Sequence, residues 1–341
     1  MSDYILCIVA SFKREEQISA VISESLFPTR FLANESNLAE NMKEAKESGK
    51  PIVLLILGPA GEKAIEYFCD DHDKPESERR VKWMHSVSAG VDWYHLETHR
   101  KEMGSIPITT GRGVYSFYLG MHVATSILYF NSQVSVFQAS KEAKKWDVFP
   151  LRDIVGLKVG ILGYGDIGRE TAKILTPLKL SLTGVRRGTP EAAVDDLGVT
   201  QLSGPEATEQ VIRESDFLIN ALPATKETNG LFNRSTFEKM KKGAVYINIG
   251  RGSTQVDDDL AAVLQEGVIA GAAVDVFQVE PLPPSSPLWE VPNSKILLTP
   301  HNVCVTTESF NMAVQRFITN AEEFLKCGKV SGYTASIDTG Y

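Results

Sequence analysis

The stretch VGILGYGDIGRETAKIL, residues 159–175, limits the possible folds of the chain more than any other. An apolar run leads into Gly163, Gly165 and Gly168 in a G-x-G-x-x-G spacing, and a proline-free helical pattern follows. In such a turn the first glycine permits a tight exit from a strand, the second lets a pyrophosphate approach the backbone, and the third allows close helix packing. Amides at the helix start then face the anion. The segment predicts the first βα turn of a dinucleotide-binding sheet, with Gly163, Tyr164, Gly165, Asp166, Ile167 and Gly168 around the phosphates.

About twenty positions further on, an acidic residue commonly accepts hydrogen bonds from the ribose 2′-hydroxyl of NAD. The sequence there reads LTGVRRG, with Arg186 and Arg187 closing the next apolar run. A guanidinium is a poor hydroxyl acceptor but a good forked donor to a phosphate. The pair predicts NADP(H) as the preferred cofactor, with NAD(H) still usable.

Around this motif the chain alternates. YILCIVAS, PIVLLILG and VKWMHSV, separated by helical charged stretches, precede residue 115; KVGILG, LSLTGV, DFLINAL, AVYINIG, AGAAVDV and KILLTP follow the motif's start. Near-continuous apolar strands between helices imply parallel sheets covered on both faces. We expect an α/β protein of two doubly wound parallel-sheet domains, one flavodoxin-like and one a Rossmann nucleotide-binding domain, with a cleft between them. The segment 113–146 contains no proline and predicts one long linking helix, and Pro150 and Gly156 mark the break before the second series. The amphipathic tail from about 307 is expected to return to the first unit. This sets a discontinuous domain of 1–116 with 307–341, and a second of 117–306 that includes the linking helix.

Composition narrows the partners. A net charge of −8 disfavours a nucleic-acid surface, and no apolar run approaches the roughly 20 residues of a membrane helix. Asp3 stands where a signal peptide would carry basic residues, so a cytoplasmic location is expected. Cys7, Cys69, Cys304 and Cys327 show no C-x-x-C spacing, which predicts free thiols. The run DDHD at 70–73 predicts a solvated acidic loop, and no metal is expected.

Further along, INALPATKETNGLFN, MKKGAVYINIGRG, AAVDVFQVEPLPPSSPLW and ILLTPH follow in order. With SVSAGVD upstream, these blocks resemble the D-isomer-specific 2-hydroxyacid dehydrogenases over most of the chain. EPLPPSSPLW and RGSTQVDDDL are most similar to the glyoxylate/hydroxypyruvate reductase A branch. The resemblance implies that Arg251 binds the substrate, Glu280 partners the histidine and His301 is the acid/base. It further implies that the backbone around Ser88, Ala89 and Gly90 holds the substrate carboxylate. Leu222, Pro223, Thr228, Ile249, Gly250 and Arg251 would border the cofactor, with Asp275 and His301 at its nicotinamide end.

The chemistry of these residue types agrees. Arg251, Glu280 and His301 all follow predicted strands at the carboxyl edge, where open α/β sheets bind ligands. Reduction of a ketone builds negative charge on its oxygen, which a protonated histidine stabilises and neutralises. A carboxylate behind the ring fixes its tautomer, and an arginine clamps the carboxylate of a 2-oxoacid. His72, His85, His95, His99 and His122 lack such company and are expected at the surface or in packing.

The expectation is an NADPH-dependent, homodimeric reductase of small 2-oxoacids, glyoxylate and hydroxypyruvate, giving D-2-hydroxyacids. The alternatives are another such dehydrogenase, acting on D-3-phosphoglycerate or D-lactate, and a nucleotide-sensing corepressor-like binding protein. The sequence departs from the family in HNVCVTT, where small residues often follow the histidine, and in YLGMHVA, where many relatives carry an Ala-Glu pair. Trp146 either reaches a neighbour's active site or packs as a core tryptophan at the hinge.

Overall fold

The computed structural model describes residues 4–188 and 193–337; Asp3 lies outside them. The chain folds as two compact units, Met1–Tyr115 with Val305–Tyr341, and Ser116–Cys304. Both are α/β, built on parallel sheets.

In the first unit, β1 (Ile5–Ala10), β2 (Arg30–Ala33), β3 (Ile52–Leu57), β4 (Val81–Ser86) and β5 (Ile108–Thr110) form a parallel sheet in the order β2-β1-β3-β4-β5. This is the flavodoxin-like winding, with its switch point between β1 and β3. Strand alternation sorts β1 between two cores. Ile5, Cys7 and Val9 face one cluster together with Leu54 and Phe68, while Leu6, Ile8 and Ala10 face another. The second cluster is closed by Ala313, Val314, Phe317 and Phe324 of the helix Thr307–Cys327. That helix is delimited by a capping box at Thr306 and Ser309 and by left-handed Gly328. Beyond it, the Thr110 amide donates to the Tyr333 carbonyl and the Ala335 amide to that of Ile108, so the tail lines the edge of β5.

The second unit contains β6 (Lys158–Leu162), β7 (Ser181–Val185), β8 (Ala193–Val194), β9 (Thr200–Leu202), β10 (Phe217–Asn220), β11 (Val245–Asn248), β12 (Gly271–Val274) and β13 (Ile296–Leu298). Their order is β13-β12-β11-β10-β6-β7-β9-β8, parallel except for the β8/β9 pair. This is the Rossmann winding, and its order reverses at β6, between β10 and β7. The six strands expected from the apolar runs are all present. The β8/β9 hairpin is an addition to them, because strands this short carry no measurable periodicity.

The long helix expected over 113–146 is two helices, Ser116–Asn131 and Val134–Glu142. Gln133 takes a left-handed conformation, φ 53°, which interrupts the helical hydrogen bonding between them. The second helix has no buried residue, and residues 143–157 carry no helix or strand. Trp146 is 94% exposed and Val148 85%, which removes the core-tryptophan reading. Among the described residues no helix is long and apolar enough to cross a membrane. The acidic run 70–73 is partly engaged, with Asp70 paired to Lys46 at 2.8 Å and to Arg80.

Candidate active site

The glycine turn sits at the switch point of the second sheet. Gly163 has φ +93°, and a Cβ there would approach the Ala221 carbonyl at 2.5 Å, so the turn and its packing against the end of β10 both require glycine. A Cβ on Gly168 would meet the Gly163 carbonyl at 2.7 Å. Gly165 differs: a Cβ there would have no neighbour within 4 Å. Nothing in the fold demands its lack of a side chain, whereas a pyrophosphate approaching the helix Asp166–Leu175 does. The loop therefore fits a dinucleotide. Its Tyr164 hydroxyl donates to Asp195 at 2.7 Å, and Arg169 pairs with the same carboxylate at 3.0 Å, tying the turn to the segment before β9.

Arg186 and Arg187 follow β7 and are exposed. The Arg186 amide donates to the Leu202 carbonyl at 3.1 Å, and among the described residues none accepts a hydrogen bond from its guanidinium. Arg187 has company, since its charge helps hold the Glu227 carboxyl below its ordinary range, after that residue's own amide and Thr225.

Opposite β7, the loop after β10 is braced from within. The Leu222 amide donates to Asn220 Oδ1 at 3.1 Å, and the Thr228 hydroxyl to the Pro223 carbonyl at 2.6 Å. Asn220 Nδ2 in turn donates to Thr254 Oγ1 at 2.7 Å and Tyr246 Oη at 2.9 Å. Thr254 donates to the Arg251 carbonyl at 2.6 Å. A parallel path starts from Asn248, which accepts from the Gly250 amide at 3.0 Å and donates to Gln255 at 2.7 Å. These buried amides fix the Ile249–Arg251 backbone from below. They are absent from the residues expected in the site, although both strands end in the same Ile-Asn pair, a polar residue closing an apolar run.

Arg251, Glu280 and His301 come together after β11, β12 and β13. A side chain on Gly252 would run into the Phe277 carbonyl, so the Arg251 loop lies directly against the segment that carries Glu280. Glu280 Oε1 accepts from the Phe277 amide at 2.9 Å, and its Oε2 lies 2.6 Å from His301 Nδ1. Burial alone would raise the Glu280 carboxyl; the His301 hydrogen bond and charge, the Phe277 amide and the Arg251 charge outweigh it and hold the carboxyl below its ordinary range. An ionised carboxylate only accepts, so Nδ1 carries a proton and Nε2 is the atom turned outward.

His301 has φ +50°. Asp275, 1% exposed, lies beneath this turn and accepts from the Asn302 amide at 3.2 Å. Burial pushes its carboxyl above the ordinary range, against the Thr299 hydroxyl, the His301 charge and the amides of Asn302 and Val303. Cys304 is also raised, to about 11, first by burial and then by the Asp275 charge.

Ser88, Ala89 and Gly90 belong to the first unit, in the loop leaving β4. Among the described residues none accepts a hydrogen bond from their amides, which leaves three successive donors of the kind that binds an anion. Of the remaining histidines, His85 is fully buried, its Nδ1 2.7 Å from Thr109 Oγ1, and His95 pairs with Glu62 at 2.7 Å.

A family model described as the NAD-binding domain of D-isomer specific 2-hydroxyacid dehydrogenases matches residues 124–302. Among solved structures, the chain is similar to a D-isomer specific 2-hydroxyacid dehydrogenase family protein from Aeromonas salmonicida subsp. salmonicida A449, at 27% identity and TM-score 0.78, covering 99% of this chain and 100% of that one. A D-isomer specific 2-hydroxyacid dehydrogenase from Xanthobacter autotrophicus Py2, in complex with NADPH and MES, matches at 23% identity and TM-score 0.79, over 99% of both chains. An NADPH-dependent glyoxylate/hydroxypyruvate reductase from Sinorhizobium meliloti, in complex with NADP and sulfate, matches at 23% identity and TM-score 0.79, over 99% of this chain and 100% of that one.

Proposed function

Because the chain belongs to the D-isomer-specific 2-hydroxyacid dehydrogenases, a family of NAD(P)-dependent oxidoreductases, we propose that it reduces small 2-oxoacids with NADPH to 2-hydroxyacids, glyoxylate to glycolate and hydroxypyruvate to D-glycerate. The observation that carries this reading is the His301–Glu280 pair at 2.6 Å, with the Arg251 loop packed against it.

The amides of Ser88, Ala89 and Gly90 and the Arg251 guanidinium bind the substrate carboxylate and orient its carbonyl, making the first unit substrate-binding and the second nucleotide-binding. NADPH, held by the glycine turn Gly163–Gly168 and by Arg186 and Arg187, would supply the hydride for reduction of that carbonyl. His301 Nε2 donates a hydrogen bond to the carbonyl oxygen and gives up its proton as charge builds there. Glu280, ionised and bonded to Nδ1, favours the imidazolium that this step needs and holds the ring in place. Asp275 supports the turn carrying His301 and borders the nicotinamide end.

NADPH is preferred because Arg186 offers the ribose a fork-shaped cation where NAD-selective relatives offer an acid. Arg187, exposed beside it, offers the same ribose 2′-phosphate a second cation. The NADP-bound Sinorhizobium and NADPH-bound Xanthobacter proteins support this choice. The enzyme acts in the cytoplasm as a homodimer, in which the exposed segment 143–157 with Trp146 packs on a second copy. Steady-state assay of NADPH oxidation with a panel of 2-oxoacids tests the reading: highest kcat/KM for glyoxylate or hydroxypyruvate supports it, and turnover confined to other acids, or absent, refutes it.

A further inference from the structure

The three amides of the Ser88–Gly90 loop are useful only if they point the same way, and a free loop would turn its peptide planes at little cost. In a trans peptide the carbonyl and the next residue's amide point in opposite directions, so whatever holds the carbonyls aims the amides. Two carbonyls of this loop are held. Tyr115 Oη donates to the Val87 carbonyl at 2.9 Å. The Ser88 carbonyl accepts from Ser86 Oγ and from the Gly111 amide, each at 3.1 Å.

The Ser86 hydroxyl is itself held. Its Oγ lies 2.8 Å from Tyr94 Oη, and its one proton goes to the Ser88 carbonyl, which leaves Tyr94 as the donor to Ser86. Ser86 and Tyr94 are fully buried, and burial pushes the Tyr94 phenol well above its ordinary range, so it remains a donor. The chain of donation runs Tyr94 to Ser86 to the Ser88 carbonyl. Gly111 completes the clamp, because a side chain there would strike the Val87 carbonyl.

We propose that Tyr115, Ser86 and Tyr94 are positioning residues for substrate: they turn the Val87 and Ser88 carbonyls inward and so aim the Ser88 and Ala89 amides at the carboxylate of the 2-oxoacid. The proposal rests on the assignment of this loop to the substrate carboxylate. None of the three hydroxyls touches the reacting atoms. Their loss weakens carboxylate binding while leaving the hydride and proton transfers of bound substrate nearly intact.

The test uses Tyr115→Phe and Ser86→Ala in the full-length enzyme, with oxamate as a 2-oxoacid mimic that is not reduced. For each variant, oxamate binding is measured on the NADPH-loaded protein alongside KM and kcat for glyoxylate, NADPH affinity and Tm. Each lost hydrogen bond is expected to raise oxamate Kd and glyoxylate KM about five- to tenfold, with kcat and NADPH affinity within about twofold. Tyr115→Phe, isosteric and half-buried, keeps the test valid even if Ser86→Ala fails to fold. Wild-type-like oxamate Kd and glyoxylate KM in Tyr115→Phe, with the wild type both binding oxamate and reducing glyoxylate, overturn the proposal alone. A fall in kcat and NADPH affinity as large as the change in KM overturns it as well, since it marks general disruption. A wild type that neither binds oxamate nor reduces any 2-oxoacid overturns the functional reading and this proposal with it.

Discussion

His301 Nδ1 lies 2.6 Å from Glu280 Oε2, in a site where the Glu280 carboxyl is held below its ordinary range. A carboxyl with a depressed folded-state pKa contributes stability that is fully present above its unfolded value, about 4.3, and is lost as pH falls through the lower folded one. The pair therefore stays intact through mild acid. Replacing Glu280 by Gln removes the charge that favours the imidazolium, so the alkaline limb of the kcat profile for reduction should move to lower pH. A profile that does not move would place Glu280 outside the proton-transfer unit.

Replacing His301 by Asn removes the proposed general acid without touching the glycine turn. We expect kcat to fall by about 10² to 10⁴, with NADPH affinity nearly unchanged. Stopped-flow cofactor titration and steady-state assay separate the two quantities. A normal kcat would remove His301 from its assigned role.

Arg251→Lys keeps the charge but loses the planar fork, so kcat/KM for glyoxylate should drop at least about tenfold. An unchanged kcat/KM would mean that Arg251 does not clamp the carboxylate.

The two glycines of the turn should respond differently. Gly163→Ala forces a side chain toward the Ala221 carbonyl at φ +93° and should cost about 2 kcal/mol or more in unfolding free energy. Gly165→Val meets no neighbour in the fold, so Tm should change little while NADPH affinity falls more than about tenfold. Equal stability loss in both variants, with cofactor binding retained in the second, would contradict the assignment of this loop to the pyrophosphate.

The strands that position the site announce themselves in the sequence as apolar runs because parallel strands are buried on both faces, and the segments carrying Arg251, Glu280 and His301 stand at their carboxyl ends in chain order. The break at Gln133 is hidden there, since a left-handed residue other than glycine leaves no mark in composition. The supports are hidden for another reason. Asn220 and Thr254 lie 34 positions apart and meet only because β10 and β11 are neighbours in the sheet. The place of Asp275 beneath the His301 turn likewise depends on β12 lying beside β13.

Every role assigned to these residues depends on one step, hydride transfer from NADPH to C2 of a small 2-oxoacid. That step can be followed by incubating the enzyme with hydroxypyruvate and NADPH deuterated at the transferable position, with mass spectrometry and chiral chromatography of the product. We expect one deuterium at C2 of D-glycerate, absent when His301→Asn is used for the same time. Product without deuterium at C2, or of the L configuration, would overturn the assignment.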